Sequence, residues 1–290
     1  MNQHKSSFPT HVTLTEVSPR DGLQNETAFV PTDIKIQFIR LLADAGFAII
    51  EATSFVNPKK IPALADHTFV MKTFSSNAKT KYAALIPNVQ GLQNAIDAGC
   101  NHIAVITAAS ETFAQKNMNC SIDASLARIQ AILAIAKPKN IFVRAYISCT
   151  LGCPYEGFIQ PEITAKIAQK LLLMGCDEIA VADTIGTGTP LKTHALILAV
   201  NQYVPIEKIA IHFHDTYGQA IANIFTCLQL GVAKIDASVG SLGGCPYAKG
   251  ATGNVATESV LYLLNDLHIE TGVDLNKVIK AREFIRTHLK

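Results

Sequence analysis

Short, near-continuously apolar runs recur along the chain, and most are followed by a stretch whose apolar positions repeat every three or four residues. The runs are Val12–Val17, Ala48–Ala52, Tyr82–Ile86, His102–Ile106, Ile141–Ser148, Glu178–Ala182, Lys208–Phe213 and Lys234–Ser238. Their length and β-branched content predict strands covered on both faces. Amphipathic helices are predicted at Thr32–Ala45, Asn88–Ala98, Ile122–Ala136, Pro161–Met174, Leu191–Val200 and Gly218–Leu230. Several of these close on a glycine, as at Ala45-Gly46, Ala98-Gly99, Met174-Gly175 and Leu230-Gly231. A helix commonly ends in a left-handed residue, a conformation glycine adopts at little cost. Pro161 and Pro190 suit first helical turns, where the missing N–H is no loss.

Strand–helix alternation implies a parallel sheet. Eight such units predict a (β/α)8 TIM barrel. A doubly wound open sheet is the runner-up, but no GxGxxG loop follows the first strand. The stretch Asn254–His288 supplies the last helix and a short C-terminal helical extension. Nothing reads as a linker or repeat, so residues 1–290 are expected to form one catalytic domain.

Composition narrows the partners. With 290 residues and 49% hydrophobic content the chain can bury a large core. The net charge is +2 with no basic block, which argues against nucleic acid and membrane surfaces. No apolar run is long enough to span a bilayer. The seven cysteines are dispersed and form no CxxC pair, as expected of reduced thiols in a reducing compartment. Met1 to Val12 is polar, with no signal-peptide core, and His288-Leu289-Lys290 is not a peroxisomal ending. The expected location is cytoplasmic.

In such a barrel, active sites lie at the C-terminal ends of the strands. Arg20 and Asp21 follow the first predicted strand, Glu51 ends the second, and Asp183 follows the sixth. The seventh ends in His212-Phe213-His214-Asp215, and Gly243-Gly244-Cys245-Pro246 and Asn254 follow the eighth. His212 and His214 are two apart on a strand and share a face. With oxygen donors from Asp21 and Asn254 they would suit magnesium or manganese. As a bare pair they could equally be hydrogen-bonded rim histidines.

Arg20 could hold a thioester oxygen as charge develops on it, or simply pair with Asp21. Glu51 and Asp183 read as residues that position Arg20 or back a metal, against a loop-cap alternative. Cys245 lies in a glycine-rich loop that could close over the mouth and deliver a proton. Gly243 and Gly244 of the same loop could bind the substrate, and such loops also cradle phosphates. Cys149 and Cys153 read as structural loop residues.

At these positions the chain resembles the 3-hydroxy-3-methylglutaryl-CoA lyase family. The likeness is carried by Pro19-Arg20-Asp21-Gly22-Leu23-Gln24-Asn25, by Glu51-Ala52-Thr53-Ser54-Phe55-Val56 and by Ser148-Cys149-Thr150-Leu151-Gly152-Cys153-Pro154-Tyr155-Glu156-Gly157. Ala182-Asp183-Thr184-Ile185-Gly186, His212-Phe213-His214-Asp215 and the Cys245 loop through Glu258 complete it. It spans roughly Thr13 to Leu289. Two departures are Thr27, where relatives often carry lysine, and Ser18, where glycine is common. Neither touches an expected ligand.

The resemblance implies cleavage of 3-hydroxy-3-methylglutaryl-CoA to acetoacetate and acetyl-CoA. It implies Mg2+ or Mn2+ on Asp21, His212, His214 and Asn254. It gives enolate stabilisation to Arg20, proton transfer to His212 and acid–base chemistry to Cys245. Glu51, Asp183, Asp215 and Glu258 would support the site. An acyl-CoA is the expected small-molecule partner, and a homodimer the expected assembly. Competing readings are a lyase for a longer-chain 3-hydroxyglutaryl-CoA analogue, a related Claisen condensing synthase and a catalytically inert metal-binding barrel.

Overall fold

The computed structural model describes residues 8–75, 79–243 and 253–289. Eight parallel strands close into a barrel in chain order, β1 pairing with β8. They are β1 (Thr13–Glu16), β2 (Ile49–Ser54), β3 (Lys81–Leu85), β4 (His102–Ala108), β5 (Phe142–Ser148), β6 (Glu178–Asp183), β7 (Ile209–Phe213) and β8 (Lys234–Ala237). The helices are α1 (Thr32–Asp44), α2 (His67–Phe74), α3 (Val89–Asp97), α4 (Glu111–Phe113), α5 (Ile122–Ala136), α6 (Pro161–Met174), α7 (Pro190–Asn201), α8 (Ala220–Gln229), α9 (Thr257–Asp266) and α10 (Leu275–Arg286). The barrel is the one expected. α2 was not expected, because its short apolar pattern follows a proline-bearing loop. α9 and α10 are the last helix and the C-terminal helical extension expected of the terminal stretch.

The strand alternation sorts the side chains. Ile103, Val105, Val143, Ala145, Ile179, Val181, Ile209 and Ile211 belong to the large core that includes buried residues of the helices. Leu85, Ala104, Tyr146, Ala180 and Ala210, of the opposite parity, form a small separate cluster inside the barrel. That inner layer is too small to fill the barrel with apolar groups. Polar side chains share it.

Local signals in the sequence correspond to real stops and starts. Gly46, Gly99, Gly175 and Gly231 all have positive φ at or just beyond a helix end. Asn88 Oδ1 accepts from Gly91 N–H at 2.9 Å and so caps α3. Between β1 and α1 the chain makes a single wide turn over Ser18–Gly22, and that turn carries Arg20 and Asp21. Wide turns of this kind are uncommon and occur often at functional sites.

Candidate active site at the barrel mouth

A cavity of about 530 Å3 opens at the C-terminal end of the strands. Its polar wall includes Arg20, Asp21, Tyr146, Ser148, Thr184, His212 and His214. Val105, Phe113, Ile129 and Ile132 form an apolar side, and Lys60 and Arg128 bring positive charge.

Asp21, His212 and His214 converge. One ligand atom from each lies within 4.8 Å of the others, and they form the one such cluster among the described residues. His214 Nδ1 is buried without a hydrogen-bond partner, which leaves it free to accept a cation. Asn254 Nδ2 donates to Asp21 Oδ2 at 2.8 Å and to the Leu242 carbonyl at 3.1 Å. With its amide nitrogen so engaged, its carbonyl oxygen is what remains for a cation. Two imidazoles with carboxylate and amide oxygens fit a divalent metal.

Electrostatics favours the same use. Burial alone would raise the Asp21 carboxyl, but the Arg20 guanidinium and the two imidazoles carry it well below the usual carboxylate range. Burial, with His212 alongside, pushes the His214 imidazole down to about 4. An anionic carboxylate and a neutral imidazole are the forms that bind metal.

Arg20 does pair with Asp21: its Nη1 donates to Asp21 Oδ1 at 2.5 Å while its Nε donates to Glu51 Oε1. The salt bridge and the site are one object. Glu51 acts on the mouth through Arg20, being itself 1% exposed beneath it.

Beneath the ligands lies a polar layer that motif reading missed. His212 Nδ1 donates to Asp236 Oδ2 at 3.1 Å. Asp236 also accepts from Arg144 Nη2 at 2.6 Å; burial raises its carboxyl most, but that guanidinium with His212 and Tyr146 together hold it below its usual range. Tyr146 Oη is 2.9 Å from both Glu51 Oε2 and Asp236 Oδ2, so it bridges the two carboxyls. A continuous hydrogen-bonded chain therefore links Arg20 to His212. Its signal in the sequence was alternation: Arg144, Tyr146 and Ser148 sit two apart on β5, and Asp236 lies between Ile235 and Ala237 on β8.

Asp183, expected at the site, and Asp215 and Glu258, expected to support it, bind backbone amides. Asp183 accepts from the Thr187 and Gly188 amides at 3.1 and 2.8 Å, and burial raises it to about 6. Asp215 Oδ1 accepts from Ala220 N–H at 2.9 Å at the start of α8. Glu258 Oε2 accepts from Gly240 N–H at 3.0 Å and pairs with Arg282. None of the three lines the cavity. Each meets unpaired backbone donors of a turn or helix start, a demand that spacing does not show. Gly243 abuts the site: a Cβ there would lie 2.8 Å from Asn254 Nδ2. Gly244 and Cys245 lie outside the described residues.

Comparison with known proteins agrees with this geometry. The HMGL-like family model matches residues 11–285. Over 280 residues the chain is 50% identical to the cytoplasmic 3-hydroxy-3-methylglutaryl-CoA lyase of Rattus norvegicus, covering 97% of this chain and 82% of that one. It is 52% identical to the mitochondrial hydroxymethylglutaryl-CoA lyase of Bos taurus over 279 residues, covering 96% and 86%. The crystal structure of hydroxymethylglutaryl-CoA lyase from Pseudomonas aeruginosa superposes with a TM-score of 0.95 at 49% identity, covering 98% of this chain and 94% of that one. The chain belongs to the HMGL-like family.

Proposed function

We propose that the protein cleaves 3-hydroxy-3-methylglutaryl-CoA to acetoacetate and acetyl-CoA, with Mg2+ or Mn2+ held by Asp21, His212, His214 and Asn254. The observation that carries this is the convergence of Asp21, His212 and His214 beside a buried Arg20. A bound divalent cation would supply Lewis acidity that makes the tertiary hydroxyl easier to deprotonate.

The remaining steps fall to the chain's own residues. The hydroxyl loses its proton, the carbon–carbon bond breaks, and the electron pair moves into the thioester as an enolate. Arg20 is locked between Glu51 and Asp21 and needs no reorganisation to meet that charge. His212 has its Nδ1–H committed to Asp236, so Nε2 carries its one available lone pair. That lone pair is the one that would hold a cation or receive the hydroxyl proton. Asp236 stabilises the imidazolium when the proton arrives. Cys245 would return a proton to the enolate carbon. The apolar wall of Val105, Ile129 and Ile132 suits an alkyl chain, and Lys60 and Arg128 at the same cavity suit an anionic one.

The dispersed cysteines support a cytoplasmic setting: Cys100, Cys120, Cys149, Cys153, Cys176 and Cys227 are all free. Among the described residues no helix is long and apolar enough to cross a membrane. A homodimer is the assembly we propose.

Purified protein is assayed for acetoacetate release, with and without Mg2+, beside His212→Ala and Cys245→Ser. Metal-dependent release lost in His212→Ala is expected. Metal binding without release would reject this substrate and favour a longer-chain 3-hydroxyacyl-CoA.

A further inference from the structure

Glu16 stands last in β1, points away from the barrel interior, and is 0% exposed. No ion pair reaches it among the described residues. Its partners are instead three neutral donors from three separate segments. Oε1 accepts from Ser18 N–H and from Val239 N–H, both at 3.0 Å, and Oε2 accepts from Thr257 Oγ1 at 2.7 Å. Ser18 opens the turn that carries Arg20 and Asp21. Val239 begins the short turn that runs from β8 to Leu242 and Gly243, the two residues packed on Asn254. Thr257 starts α9, three residues after Asn254.

A buried carboxyl without a cation is costly unless hydrogen bonds compensate it. Here the three bonds add to the Asn254–Asp21 and Gly240–Glu258 side-chain bonds and to backbone contacts between the same segments. Those contacts are tight: Val17 N–H bonds the Ala237 carbonyl at 3.0 Å, and Thr257 N–H bonds the Ser238 carbonyl at 3.1 Å. A Cβ on Gly22 would lie 2.9 Å from Leu242 Cβ. The turn bearing Asp21 and the segment bearing Asn254 thus rest on one another, with Glu16 as the shared anchor.

We propose that Glu16 is a positioning residue that sets the spacing between the two oxygen ligands, Asp21 and Asn254, and thereby the affinity of the metal site. This rests on the metal reading given above. Glu16 touches neither ligand and acts by holding the segments that carry both.

The test is Mn2+ binding to substrate-free protein, read by electron paramagnetic resonance, for wild type, Glu16→Ala, Glu16→Gln and Thr257→Val. Thermal melts without metal are run alongside. Outer-shell supports typically change metal affinity by about 10- to 100-fold, so Glu16→Ala should raise the Mn2+ dissociation constant by about tenfold or more. Glu16→Gln keeps an oxygen for both amides and an N–H for the threonine hydroxyl, and should restore most of the affinity. Thr257→Val removes one bond of the three and should fall between. At saturating Mn2+ the activity of Glu16→Ala should largely recover. A lower melting temperature with unchanged Mn2+ affinity in Glu16→Ala would overturn the proposal and leave Glu16 a fold residue. Should Glu16→Ala fail to fold, unchanged affinity in Thr257→Val would overturn it equally. Wild-type protein that binds no Mn2+ would remove the metal reading itself, and the proposal with it.

Discussion

His212 Nδ1 and Asp236 Oδ2 are 3.1 Å apart inside the barrel, and this contact fixes which nitrogen of His212 faces the mouth. Asp236 is ionised under Arg144 and can only accept, so the proton sits on Nδ1 and Nε2 is left toward Asp21, 3.8 Å away. Asp236→Asn would allow the other tautomer and strip Arg144 of its closest anion. Mn2+ affinity should fall by about 10- to 100-fold, as for other supports of a ligating imidazole. Titration calorimetry checks this, and an unchanged affinity would show the contact to be incidental.

Arg20 is predicted to matter to the chemistry more than to binding. Arg20→Lys keeps a positive charge but loses the fork that Glu51 and Asp21 grip together. Loss of a preorganised oxyanion donor costs on the order of 10²- to 10³-fold in kcat. KM should move far less. Steady-state kinetics separate the two, and a change confined to KM would count against enolate stabilisation.

Metal-free protein should weaken as pH falls from about 6.5 toward 4, because His214 is held neutral there. Its imidazole titrates near 4 in the fold and near 6.5 when unfolded, so protons bind the unfolded chain first. The contribution is intact above 6.5 and declines below it. His214→Asn should flatten this limb of the melting-temperature profile. A limb of equal slope in the variant would assign the effect elsewhere.

Glu16 gives the opposite sign. Burial raises its carboxyl from 4.5 to about 7, so the folded state binds the proton more tightly. Stability from this group is complete below about 4.5 and is lost as pH rises through 7, by about 3 kcal/mol at most from the size of that shift. Glu16→Gln cannot ionise and should lose less stability than wild type between pH 5 and 8. Chemical denaturation at the two pH values measures this directly.

Gly243 has a φ of +97°, and a Cβ would press on Asn254 Nδ2 at 2.8 Å. Gly243→Ala should therefore weaken metal binding by displacing Asn254, and destabilise the fold by more than the roughly 0.4–1 kcal/mol that alanine contributes at compatible sites. Gly218, also at positive φ but with nothing within 4 Å, is the control. Gly218→Ala should leave metal affinity alone.

The eight strands, most helices and the helix-ending glycines were legible because each depends on short-range periodicity and local backbone preference. Arg20, Asp21, Glu51, His212, His214 and Asn254 were legible because they stand at or just after strand ends, and the barrel brings strand ends together. What the sequence could not order was the set of acidic residues. Asp183 ends a strand, Asp215 follows His214 and Glu258 lies four residues past Asn254, yet all three bind turn and helix-start amides. Asp236 and Tyr146 sit within strands and complete the site. Glu16 is the plainest case. From sequence it is a polar residue ending an apolar run, and its three partners include residues 223 and 241 positions away. The partner of a carboxylate is set by which donors the closed barrel leaves unpaired nearby, and those donors come from segments remote in the chain. Local pattern determined the barrel and most of its ligands; only closure of β8 onto β1 decided what holds them in place.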